Sequence, residues 1–133
     1  MDRKVLILDT NAVLRFVVGN DAKMFHIAAH IINTVPCTVP IEVIAEAVFV
    51  MTSVYNYDRR LIADKIKEFI TIKENLVVES EIVRYGANLF ASTDFDFIDC
   101  ILDGYAKIKG NPVFTFDGDL KKQLADKAFS GVN

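Results

Sequence analysis

The 133 residues carry 15 Lys and Arg against 18 Asp and Glu, a formal charge of −3, and are 52% hydrophobic with ten Phe and no Trp. Length and composition suit one packed domain over residues 1–133 and exclude the charged, apolar-poor signature of disorder. The acidic balance lacks the basic footprint that phosphate binding usually leaves, an objection that weakens only where several acids gather around bound dications.

The chain opens on a short apolar run, Lys4-Val5-Leu6-Ile7-Leu8, too brief for a signal-peptide core and of the kind expected of a central strand covered on both faces. It ends at Asp9-Thr10-Asn11. Ala12–Val18 and, after the Gly19-Asn20-Asp21 break, a stretch to Ile32 form a predicted helical hairpin. The longest uncharged stretch, Met24–Ile41, is interrupted by His, Asn, Thr and Pro, so no membrane span is expected. Cys37 and Cys100 lack a CxxC spacing and read as reduced, packed thiols, and the expected compartment is the cytoplasm.

Cys37-Thr38-Val39 is the second predicted strand, and Pro40 opens a helix to about Ser53. Asp58–Ile72 places Leu61, Ile62, Ile66, Phe69 and Ile70 at helical spacing. Leu76-Val77-Val78 is a third strand and Glu79–Phe90 a helix, followed by Ser92-Thr93-Asp94 as the cap of a helix from about Phe95 to Ile108. Val113–Phe116 is the fourth strand, stopped by Asp117-Gly118-Asp119 before a last helix, Leu120–Ala128. A fifth strand would have to come from Phe129–Val132. Strands alternating with helices imply an α/β fold of three layers: a central parallel sheet of four or five strands with helices on both faces. Such sheets place ligands beyond the carboxyl ends of their strands.

Asp9 and Asp117 end strands that a parallel sheet would bring to one edge. The helix Pro40–Ser53 is apolar nearly all round and is expected to be buried, with Glu42 and Glu46 its only charges; a carboxylate buried there needs a partner or a metal, the alternative being that both line a wet edge of the helix. The helix after Thr93 puts Asp96, Asp99 and Asp103 on one face. Asp94 and Asp96 read as first-turn caps, Asp99 as too deep for that, and Asp103 as solvated. Asp9, Glu46, Asp99, and Asp117 with Asp119, thus form a candidate cluster of oxygen ligands without a His or Cys pair, suited to Mg²⁺ or Mn²⁺. Such ions activate water and stabilise in-line displacement at phosphorus, and Thr10, Asn11 and Thr115 are placed to orient water, carboxylates or phosphate.

These residues resemble PIN-domain ribonucleases, specifically VapC-like toxins of toxin–antitoxin pairs, over nearly the whole chain. The matching segments are Leu6-Ile7-Leu8-Asp9-Thr10-Asn11 with Leu14-Arg15, Ala45-Glu46, Phe97-Ile98-Asp99, and Thr115-Phe116-Asp117-Gly118-Asp119. The resemblance implies that Asp9, Glu46, Asp99 and the Asp117/Asp119 pair form the metal site with the Thr115 hydroxyl beside it. It further implies Mg²⁺- or Mn²⁺-dependent endonuclease activity on RNA, a homodimer, and an antitoxin inserted in the active-site groove. Arg15 and Lys23 lie near the groove in that topology and become candidates for RNA phosphate contact.

Two non-catalytic classes compete. A PIN-like fold used only for binding fits the same pattern. A receiver-type phosphoacceptor module fits the length but wants paired acids after the first strand, where only Asp9 stands. A haloacid-dehalogenase-like phosphatase would need an acid where Asn11 stands. His26 and His30 share a helix face but lack the Glu of HExxH, and no Gly-rich phosphate loop is present, so neither zinc nor a nucleotide cofactor is expected. Arg59, Arg60, Lys65 and Lys67 read as a solvated face, and Phe16, Phe25, Phe49 and Phe69 as core or dimer surface.

Overall fold

The computed structural model describes residues 4–131. Strand β1 (Leu6–Ile7) leads into α1 (Thr10–Val17) and α2 (Ala22–Thr34), and β2 (Cys37–Thr38) into α3 (Ile41–Ser53) and α4 (Arg59–Thr71). Then follow α5 (Ser80–Ser92), α6 (Phe97–Lys109), α7 (Gly118–Leu124) and a 3-10 turn at Ala125–Lys127. Asp9, Asp21, Asp58 and Asp117 each take an N-cap position and accept a backbone N–H three residues on, at 2.8–3.1 Å. A cap of this kind contributes about 1 kcal/mol. Asp9 therefore starts α1 directly, earlier than the expected Ala12.

The sheet is smaller than expected. β1 and β2 run parallel with Leu6 opposite Cys37, and a bridge between Val39 and Val77 attaches the third segment. Val113–Phe116 does not join β1. Instead Val113 bridges Ala128, with the Val113 N–H donating to the Lys127 carbonyl at 2.9 Å and the Phe129 N–H to the Val113 carbonyl at 2.8 Å. That pairing closes only the short loop around α7 and leaves the other edge of Val113–Phe116 without a β1 partner. The consequence is exposed apolar surface on both segments, Ile7 at 64% and Phe116 at 87%. Of the expected fifth strand, Phe129 takes part in this pairing and Val132 lies outside the described residues.

The main core draws on α1, α3, α4, α5 and α6, where the predicted face of α4 is buried at Ile62, Ile66, Phe69 and Ile70. Leu61 stays partly outside it, 40% exposed. α3 is not buried all round: Ile44, Ala47, Val48 and Met51 face the core, while Glu42, Glu46 and Phe49 are exposed. Lys65 also departs from the expected solvated face, its ammonium donating to the Val17 carbonyl at the end of α1 at 3.1 Å. Cys37 and Cys100 are buried free thiols. Among the described residues no helix is long and apolar enough to cross a membrane.

α5 and α6 form the most extensive helix pair, and Gly86 and Gly104 permit their approach. A Cβ at Gly104 would stand 3.0 Å from Ile82 Cγ2 and 3.3 Å from the Ile82 carbonyl oxygen, whereas at Gly86 the close contact is the Ile101 Cδ1 tip at 2.8 Å. A methyl tip can rotate away and a helix carbonyl cannot. Gly104→Ala is therefore expected to destabilise by about 1–3 kcal/mol despite the better helix propensity of alanine, and Gly86→Ala by clearly less. Urea denaturation of the two variants checks the order.

Candidate functional site

The loop between α5 and α6 is shaped by Arg59. Its Nε donates to the Phe90 carbonyl at 2.8 Å, its Nη2 donates to the Phe95 carbonyl, and the guanidinium lies 3.7 Å above the Phe90 ring centre. Arg59 is thus an internal clamp and not part of a solvated face, a role visible only once the two helix ends meet. The Thr93 hydroxyl donates to the Leu89 carbonyl at 2.7 Å and finishes α5, so α6 begins at Phe97 and not near Phe95.

That later start changes the reading of three acids. Asp96 occupies the N-cap position of α6 but its side chain makes no capping hydrogen bond. Asp99 falls in the first turn, where the free N–H groups and the helix dipole favour an acid, so it is not too deep for that structural role. Asp103, expected in solvent, is fully buried.

Asp94, Asp96 and Asp99 meet Asp117 and Asp119, from the start of α7, around a cleft of roughly 520 Å³ whose other lining includes Lys122. Asp117 spends Oδ1 on the Leu120 N–H at 2.8 Å, and the Thr115 hydroxyl oxygen accepts the Asp117 N–H at 3.0 Å, fixing the turn into α7. Partial burial, followed by the neighbouring charges of Asp96 and Asp117, raises the Asp99 carboxyl above its ordinary range. Lys122 was missed in the sequence, although it stands three residues after Asp119 and hence on the same face of α7.

Two expected members lie elsewhere. Asp9 lines a separate groove of roughly 260 Å³ with Asn11, Arg15, Met24 and Ile27. Thr10, the first residue of α1, is half-buried. Glu46 is exposed on α3, so burial gives it no need of a partner. Asp9 and Asp117 line different clefts, and Val113–Phe116, which would carry Asp117 to the β1 edge, is bridged to Ala128 and not to β1. Arg15 Nη1 stands 3.8 Å from Asp21 Oδ2, while its buried Nε has no hydrogen-bond partner. Lys23, His26 and His30 are exposed.

The donor chemistry of the cleft fits a hard dication: every candidate ligand is a carboxylate oxygen, and their mutual repulsion is the load such a charge would relieve. The described residues nevertheless include no group of three acids, histidines or cysteines drawn close enough to hold one ion. The PIN domain family model matches residues 6–124. No curated protein and no solved structure matches the chain.

Proposed function

The chain belongs to the PIN domain family, a nuclease-type fold whose nucleases typically use divalent metals, and on that premise we propose that it is a Mg²⁺- or Mn²⁺-dependent endoribonuclease. The observation that carries the reading is the convergence of Asp96, Asp99, Asp117 and Asp119 on one cleft from the starts of two successive helices. In this reading Asp9, Glu46, Asp99 and Asp117 are the catalytic acids and Asp119 a further metal ligand. Bound dications would supply the positive charge that offsets phosphate and activates water for in-line attack at phosphorus. Thr10, Asn11, Asp96 and Thr115 orient these groups by hydrogen bonding. Arg15, which lines the Asp9 groove with its side chain partly exposed, and the exposed Lys23 support contact with RNA phosphates.

The proposal includes the fuller sheet of four or five strands. Laying Val113–Phe116 along β1 would cover the apolar surface now exposed at Val5, Leu6, Ile7, Phe114 and Phe116, and would carry Asp117 towards Asp9. It also includes the VapC-like toxin role, with a homodimer and an antitoxin over the groove. Exposed Phe49 and Ile98 beside Asp96 and Asp99 supply apolar surface for such a partner.

The dispersal of Asp9 and Glu46 favours a second reading, a PIN-fold binding module without catalysis; the receiver-type reading is displaced by the family match. Purified protein given a mixed RNA pool is expected to cut it with Mn²⁺ or Mg²⁺ and to stop on addition of EDTA. No cutting by folded, partner-free protein with metal in excess would sink the nuclease reading and leave the binding module.

A further inference from the structure

Asp103 is the one fully buried charged residue among those described, and it has no part in the cleft. Its Oδ2 accepts from the Tyr85 hydroxyl at 2.5 Å and from Gln123 Nε2 at 3.0 Å, and its Oδ1 from Lys107 Nζ at 2.7 Å. Tyr85 belongs to α5, Lys107 to α6 and Gln123 to α7, so one carboxylate ties three helices together. Lys107 adds a second tie to α7, donating to the Gln123 carbonyl at 2.9 Å.

α7 needs such ties. Seven residues are too few for an autonomous helix, and its apolar anchorage is a small satellite cluster, Leu120 and Leu124 against Ala106. Asp117 and Asp119 sit at the start of this helix, while Asp99 stands one turn before Asp103 on α6. Wherever Gln123 is held against Asp103, the cleft acids of α7 are held against the acid of α6.

We propose that Asp103 is a positioning residue: through Gln123 it fixes α7 against α6, and so sets the placement of Asp117 and Asp119 opposite Asp99 for metal binding. The inference rests on the nuclease reading. A merely structural role for the network predicts that cutting any of its hydrogen bonds has the same kind of effect. A positioning role predicts that only the bond to α7 bears on the metal.

Gln123→Leu removes the side-chain bond from α7 to Asp103, keeping the Lys107 bond to the backbone carbonyl, and Tyr85→Phe removes the α5 bond. Hydrogen exchange at the Leu120 and Lys121 amides is expected to accelerate at least tenfold in Gln123→Leu. The Kd for Mn²⁺, titrated without RNA, should rise about tenfold in the same variant, the scale on which outer partners of metal ligands act. Tyr85→Phe should lower the thermal midpoint while leaving α7 exchange and the Mn²⁺ Kd unchanged. Equal effects of both variants on the Mn²⁺ Kd, or an unchanged Kd in Gln123→Leu despite a loosened α7, would overturn the proposal. Wild-type protein that bound no Mn²⁺ would fail the nuclease reading itself, a result read independently of exchange at α7.

Discussion

Asp99→Asn is expected to reduce RNA cleavage by roughly 100-fold or more while leaving the metal-free protein as stable as the wild type or slightly more so. The two effects have one origin. Asp99 is partly buried and faces the charges of Asp96 and Asp117, which together raise its carboxyl pKa in the folded chain. A carboxyl whose folded value lies above its unfolded value contributes most below the unfolded value and loses that contribution as pH rises through the folded one. At neutral pH the ionised group is therefore a load on the fold, and asparagine removes it. Loss of a first-turn acid works the other way, by about 0.3–1 kcal/mol, so the net change in thermal midpoint should be small.

The diagnostic comparison adds metal. Mn²⁺ should raise the wild-type midpoint by mass action, because it binds the folded cleft and not the unfolded chain, and should do much less for Asp99→Asn. Any gain from asparagine should shrink as pH falls through the raised folded value of the wild-type carboxyl and vanish below its unfolded one. Calorimetry at neutral and acid pH, with and without Mn²⁺, measures all of this. A variant that cuts RNA at the wild-type rate would remove Asp99 from the site. One that is much less stable at pH 7 would show that Asp99 serves the helix start first.

Sequence pattern reached some of this and not the rest, for identifiable reasons. The buried face of α4 is written in its own spacing, because Ile62, Ile66, Phe69 and Ile70 recur at the helical period. α3 has no such contrast. A helix apolar almost throughout cannot show which side its neighbours leave open, so the exposure of Glu46 and Phe49 was illegible. Val113–Phe116 advertises extended structure but not its partner, and its one bridge, to Ala128, comes from a segment with no strand pattern of its own. Asp9 and Asp117 were legible as acids closing apolar runs, yet the same pattern writes a helix N-cap, and both residues do cap. Asp103 was the least legible of all, since its donors Tyr85 and Gln123 come from other helices and no local spacing announces them.

That buried carboxylate carries the largest expected effect on stability. Asp103→Ala strips an acceptor from Tyr85, Lys107 and Gln123 at once and should cost about 3–5 kcal/mol, a large share of the 5–15 kcal/mol typical of a domain. The lower figure is favoured because Lys107, a third exposed, can turn its ammonium to water. Asp103→Asn keeps one acceptor but points an amide at donors, and should cost about 1–3 kcal/mol. The pH dependence follows from opposite shifts. Burial alone would raise the Asp103 carboxyl, but hydrogen bonds from Lys107, Tyr85 and Gln123 outweigh it and hold it below its ordinary value. Its contribution is therefore present above the unfolded value and lost as pH falls through the folded one. Tyr85, pushed up to about 12 by burial and then by its bond to Asp103, contributes below its unfolded value near 10 and loses that contribution as pH rises through 12. Urea midpoints across pH should show a wild-type plateau falling at both ends, with the alkaline fall diminished in Tyr85→Phe, the buried Cys100 thiol supplying part of what is left, and the acid fall diminished in Asp103→Asn. An acid fall as large in Asp103→Asn as in the wild type would mean that ionisation of this carboxylate adds nothing to the fold. The hold of the network on α7 would then not depend on the charge of Asp103, and the positioning role proposed for it would lose its electrostatic basis.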